Sequence, residues 1–424
     1  MLRVITTSWA LLLGMGLLML GHGLMGTLLP IRAELERFPL PVTGLVMSGY
    51  YLGLVAAPFL IPRLVAGVGH VRVFAACASV TSTTILLQAL LITPWFWFAM
   101  RLVTGIALCG VYIVAESWLN GRATNETRGQ LLSVYMVIQM GGLMGGQLLL
   151  ATAPPDQATL FVMVSVLFSL GLVPMLLSES SAPPPPTART VTALELYRAS
   201  PLGVVALFGI GLSQAAVYSL APVYAAQTGL SVAAISVLMA LVSAGGVALQ
   251  WPAGWISDRV DRRVVIALMT FAAALVAAAA VPLAADQLGL IYTVFFLFGG
   301  LSLPLYSLGV AHANDFMRPE QMVGASGAIL LVNGLGASFG PTIGSAVMQV
   351  VGPWGLPAFL ILVHGVIGLF ALWRMTRRPT VPAAERGPVV PIPAQAPAAT
   401  LVQEAAVTTP GSTDATTAQP AGVP

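Results

Sequence analysis

The chain has 424 residues, of which 57% are hydrophobic and only 8% charged. A soluble domain carries about 25% charged residues, so the composition excludes a soluble globule, a disordered chain, and collagen-like or disulfide-rich classes. A net charge of +3 leaves no electrostatic footprint for a nucleic-acid partner, and all 18 basic residues are arginine. What remains is a polytopic helical membrane protein.

A bilayer core about 30 Å thick takes about 20 apolar residues per helix. Twelve such runs occur, at roughly 7–29, 42–62, 72–93, 95–118, 129–151, 158–177, 202–226, 232–254, 264–284, 288–312, 322–350 and 354–374. None alternates with period two, which excludes outer-membrane strands. The first run follows Arg3 but has no small-residue cleavage site, so it reads as an uncleaved span 1. The predicted fold class is an all-α membrane protein with twelve transmembrane helices in two pseudo-symmetric six-helix halves. Residues 1–178 form the first half and 201–376 the second. A cytoplasmic linker, 179–200, contains the stiff run Pro183–Pro186. Within it, Thr192–Arg198 predicts a short interfacial helix. Residues 377–424, rich in Pro, Ala and Thr, predict a disordered cytoplasmic tail. Cys77 and Cys109 lie in apolar runs and read as small buried hydrophobes.

The arginines orient the spans. Fifteen fall in loops on one side, only Arg32 and Arg37 on the other, and Arg101 lies within span 4. By the positive-inside rule both termini are cytoplasmic, in agreement with the even span count.

Internal similarity accompanies the six-plus-six arrangement. At an offset of 192, Pro30 matches Pro222 and His22 matches Gln214. At an offset of 195, Gly105, Gly129, Gly141 and Gly145 match Gly300, Gly324, Gly336 and Gly340. Gly141, Gly145, Gly336 and Gly340 belong to small-xxx-small faces in spans 5 and 11 and are expected to pack helices closely. Parallel repeats of this kind build one large class of secondary transporters.

Within span 4, Arg101, Gly105, Tyr112 and Glu116 share a stripe about 60° wide at 100° per residue. An arginine at that depth cannot face lipid cheaply. It either reaches the outer interface or points into a water-filled cavity, where it would hold an anionic group. His22 is the ionisable group of span 1, at a similar height, and is either a packing residue or a substrate contact.

Between spans 8 and 9 stands Gly254-Trp-Ile-Ser-Asp258-Arg259-Val-Asp261-Arg262-Arg263. This resembles the cytoplasmic loop signature of the major facilitator superfamily, with Asp261 where the family has its second glycine. The matching first-half loop keeps Gly69 and its basic residues but has Ala66 in place of the acid. The resemblance implies a cytoplasmic latch formed by Asp258, Arg259, Arg262 and Arg263 with Glu116 and Arg122 of span 4. It also implies that spans 1, 4, 7 and 10 line a central cavity, which here hold His22, Arg101, Tyr112, Gln214, Tyr218 and Tyr306. Gly26-Thr-Leu-Leu-Pro30-Ile-Arg32 and Gln250-Trp-Pro-Ala-Gly254-Trp are similar to the YcaD-type branch of bacterial inner-membrane major facilitators.

The reading is therefore a monomeric secondary active transporter in a bacterial inner membrane. It would move a small polar or anionic solute by alternating access, with proton coupling implied by the family. The competing reading is a non-transporting scaffold or receptor on a transporter fold. An enzyme is not expected: no metal-ligand cluster and no Ser/His pair on one span suggest catalytic or metal residues, and no cofactor is implied. The chain has no GxxxxGK[ST] loop and no lysine, which excludes ATP as the energy source within this chain. Substrate choice is spread over side chains of separate helices and has no linear motif.

Overall fold

The computed structural model describes residues 2–122, 128–177, 191–281, 283, 285–377, 380–382, 386, 387 and 389. Most of the linker expected at 179–200 and of the tail expected at 377–424 lies outside them. The helices are α1 (Leu2–Leu35), α2 (Leu40–Val68), α3 (His70–Leu90), α4 (Pro94–Arg122), α5 (Arg128–Leu149), α6 (Thr159–Leu176), α7 (Ala193–Ala199), α8 (Pro201–Gln227), α9 (Val232–Arg259), α10 (Arg262–Ala279), α11 (Leu288–Ser302), α12 (Leu305–Asn314), α13 (Pro319–Val351) and α14 (Gly355–Met375). Among the described residues, twelve helical stretches are long and apolar enough to cross a membrane. Span 10 is two helices, α11 and α12, interrupted just before Pro304. The loss of an amide donor at proline favours such a break.

The helix starts are written locally. Ser200, Ser231 and Asp261 cap α8, α9 and α10 by accepting from backbone N–H groups of the first turn. The short helix expected in the linker is α7, opened by a reciprocal Thr192–Glu195 capping box. α2 passes directly into α3 through Gly69, whose φ of +90° is open to glycine without strain.

The two sets of six spans pack alike. α1 lies on α5 and α6, α2 on α4, and α3 on α6; in the same order, α8 lies on α13 and α14, α9 on α11, and α10 on α14. These contacts correct the expected glycine register. A side chain at Gly142 or Gly146 would strike α1 at Met19 or the Leu20 carbonyl, and one at Gly336 or Gly340 would strike the carbonyls of Phe208 or Leu212. A Cβ at Gly105 would meet the Tyr50 carbonyl, and one at Gly299 the Val242 carbonyl. Spans 4 and 5 therefore repeat as spans 10 and 11 at an offset of 194. Spans 1 and 2 keep the offset of 192, since Leu20 answers to Leu212 and Tyr50 to Val242. Gly141 faces open space and Gly145 meets only the Leu20 side chain, so Gly142 and Gly146 are the packing glycines of span 5.

Both ends of the chain's span order lie at one end of the bundle, here called the termini end. The two halves meet through α2–α13, α5–α9 and α1–α8. Hydrogen bonds join them toward the far end: Ser48 Oγ with Thr342 Oγ1 at 2.9 Å, Ser243 Oγ to Gln147 Oε1 at 3.1 Å, and Gln227 Nε2 to Glu34 Oε1 at 3.1 Å.

Candidate functional site

A cavity lies between the halves, lined by residues of α1, α2, α4, α5, α8 and α13. Close α2–α4 packing, with Gly53 against the Leu102 carbonyl and Gly105 against that of Tyr50, brings Arg101 to the wall. Its Cζ lies 4.6 Å from the centre of the Tyr50 ring, a cation–π contact. The His22 ring lies 5.6 Å from the same ring, and that of Tyr51 5.1 Å from it.

Arg101 is only 5% exposed, and among the described residues no carboxylate lines the cavity. Its Nε and Nη1 have no hydrogen-bond partner, and neither do His22 Nδ1 or the Tyr50 hydroxyl. Buried polar groups are nearly always paired, and a buried cation without an anion is costlier still. Four such atoms around one ring form an unfilled donor set suited to a carboxylate, phosphate or other oxygen-rich group.

The opposite wall is neutral and satisfied. Gln214 Nε2 donates to the carbonyls of Ser302 and Leu303, both at 3.3 Å, where span 10 is broken. Tyr218 shares a hydrogen bond of 3.2 Å with Ser243, which in turn donates to Gln147. Asn333 Nδ2 donates to the Leu207 carbonyl at 2.9 Å. Thus His22, Arg101, Gln214 and Tyr218 come together as the sequence pattern expects. Tyr112 and Tyr306 are buried but do not line the cavity. Tyr112 lies three turns, about 16 Å, along α4 from Arg101, and its hydroxyl meets the Met19 sulfur at 3.3 Å. The sequence reading missed Tyr50, Tyr51, Gln147 and Asn333; a tyrosine pair and two amides inside apolar spans were the available signals.

Glu116 occupies a second buried position, 2% exposed, and neither carboxylate oxygen has a hydrogen-bond partner. Cys109, Tyr112, Tyr135 and Tyr306 lie within electrostatic reach. The structure does not join Glu116 to the arginines of the α9–α10 loop. Arg262 Nη1 donates to Asp315 at 2.6 Å and Nη2 to Asp258 at 3.3 Å. Arg263 pairs with Asp261 at 2.7 Å, and Arg259 stacks on Trp255, its Cζ 4.0 Å from the ring centre. Each of these arginines has partners within the second half, because the hydrogen bonds joining the halves lie toward the other end of the bundle. The Arg122 side chain lies outside the described residues. Burial pushes the Asp315 carboxyl above its ordinary value, against the opposing pull of Arg262. His364, which could have been a second buried site, is satisfied by Ser302 at 3.1 Å and the Leu360 carbonyl at 3.0 Å.

The Major Facilitator Superfamily profile matches residues 11–341 and 203–409. The chain belongs to that superfamily, and it is a transporter rather than an enzyme. It is 28% identical over 376 residues to a protein of Escherichia fergusonii named as an uncharacterized MFS-type transporter, YcaD, covering 88% of this chain and 97% of the relative. Among solved structures, a mutant of the nucleoside transporter NupG shares the fold with a TM-score of 0.72 at 13% identity, covering 87% of this chain and 99% of the other. A bacterial homolog of the human lysosomal transporter Spinster, inward-facing and occupied, aligns with a TM-score of 0.67 at 14% identity, covering 90% and 98%.

Proposed function

We propose that this protein carries a small anionic or strongly polar solute across a bacterial inner membrane by alternating access, in symport or antiport with protons. The observation that carries the reading is Arg101, a buried cation with no anionic partner, in a cavity between the halves. A solute bearing one carboxylate or phosphate would complete the donor set of Arg101, His22 and Tyr50, while the neutral wall around Gln214 and Tyr218 would accept its polar remainder. Residues 1–178 and 201–376 are the two bodies that rock about this solute, and the arginine bias supports a cytoplasmic termini end.

Glu116 is the group assigned to the proton. An isolated buried carboxylate is costly when ionised, and its two oxygens have no partner in this conformation. The direct test is uptake into proteoliposomes of a compound that stabilises the purified protein. Arg101→Ala should abolish saturable uptake and Arg101→Lys should retain part of it. Unchanged uptake in Arg101→Ala would refute the anchor role.

A further inference from the structure

The segment that follows α14 returns to the α9–α10 loop. Arg386 Nη1 donates to the Val260 carbonyl at 2.7 Å. Arg262 Nη2 donates to the Gly387 carbonyl at 3.0 Å, and the Val389 N–H donates to Asp258 Oδ1 at 3.0 Å. The Val389 side chain sits over Gly254, where an added Cβ would lie 3.4 Å from Val389 Cγ1. Arg386 braces the return by donating to the Val381 carbonyl and the Thr380 hydroxyl at 2.7 and 3.0 Å.

The place this segment occupies gives it meaning. Ser243, Val247, Gly254 and Asp258 lie on one stripe of α9 at 100° per residue. Toward the far end that stripe meets the first half, through Ser243 and Gln147. One turn on, Val247 is 48% exposed. At the termini end the stripe is covered by residues of the chain's own C-terminal segment. For the halves to meet there, α5 or α4 must reach Gly254 and Asp258, and Val389 stands in the way.

We propose that Arg386, Gly387 and Val389 form an autoinhibitory strap that holds the termini end of the second half away from the first. The strap takes up hydrogen-bonding capacity of Asp258 and Arg262 and fills the gap over Gly254, so strap release and closure at this end are one event. This inference rests on the alternating-access reading, and the test separates the two.

Spin labels at Val68→Cys and Arg318→Cys, exposed residues of the two halves at the termini end, report the opening of the full-length protein in lipid nanodiscs by electron–electron double resonance. Native Cys77 and Cys109 are buried. Val389→Pro removes the N–H to Asp258, and Arg386→Ala removes the brace. Each should raise the ratio of short to long distances about tenfold, the change expected for one charge-assisted hydrogen bond. Gln227→Ala with Thr342→Ala weakens the far-end contact and serves as the reference. If the reference variant shifts the distances and both strap variants do not, the strap is wrong and the two-state reading stands. If no variant shifts them, alternating access is wrong here and the strap falls with it.

Discussion

The two halves share one packing scheme and distribute their charges in opposite ways. By the register of their helix contacts, His22, Arg101 and Glu116 of the first half answer to Gln214, Phe295 and Val310 of the second. At the termini end the relation reverses: Asp258 and Arg262 answer to Ala66 and His70. The first half therefore keeps charge at membrane depth with bonding capacity unfilled, and the second keeps charge at its loop, paired. Unfilled buried capacity is costly and is retained where something else completes it. Paired loop charge holds structure. On the proposed reading, binding falls to the first half and locking to the second.

Neutralising the first half's acid should break this division most visibly. Glu116→Gln should abolish accumulation driven by a pH gradient, while solute exchange at equal pH stays within about threefold of wild type. Proteoliposome assays with and without the gradient separate these outcomes, and retained gradient-driven accumulation would remove Glu116 from coupling. In the second half the same kind of change should cost stability. Asp315→Ala removes the 2.6 Å partner of Arg262, whose side chain is 2% exposed and keeps Asp258 at 3.3 Å, at a cost of about 3 kcal/mol. His70→Ala, at the position matching Arg262, loses one hydrogen bond to Ser117, worth about 1 kcal/mol. Thermal unfolding in detergent checks the order, and equal losses would contradict it. The smallest contrast lies within span 5. Gly146→Ala drives a methyl into the Leu20 carbonyl and should destabilise by roughly 1–3 kcal/mol, whereas Gly141→Ala meets nothing and should be neutral. The same melts would expose a reversed order.

Hydropathy and arginine bias made the twelve spans legible, because a membrane forces each crossing to be long and apolar. The break in span 10 at Pro304 leaves no mark in the hydropathy, because both pieces are apolar. In spans 4 and 5 the repeat offset is 194 and not the expected 195. The glycines come in pairs, Gly141-Gly142, Gly145-Gly146 and Gly299-Gly300, so two registers align glycine with glycine. Only the carbonyl that each faces decides between them. In the site, Arg101 was legible because a charge inside a span demands an explanation. Tyr50, Tyr51, Gln147 and Asn333 were not, because a neutral polar side chain inside a span costs far less than a charge and stands out less. Glu116 and the loop arginines looked like one cluster in sequence, and in the structure the second-half acids and the C-terminal segment take the arginines first.

On the proposed reading, Arg101 holds an anionic solute. The most direct measurement is a thermal-shift panel on purified protein, with small carboxylates, inorganic phosphate and phosphate esters set against neutral polyols. At least one anionic compound should raise the melting temperature of the wild type by several degrees and leave Arg101→Gln unmoved. Equal stabilisation of both proteins, or stabilisation of the wild type by neutral compounds alone, would contradict it.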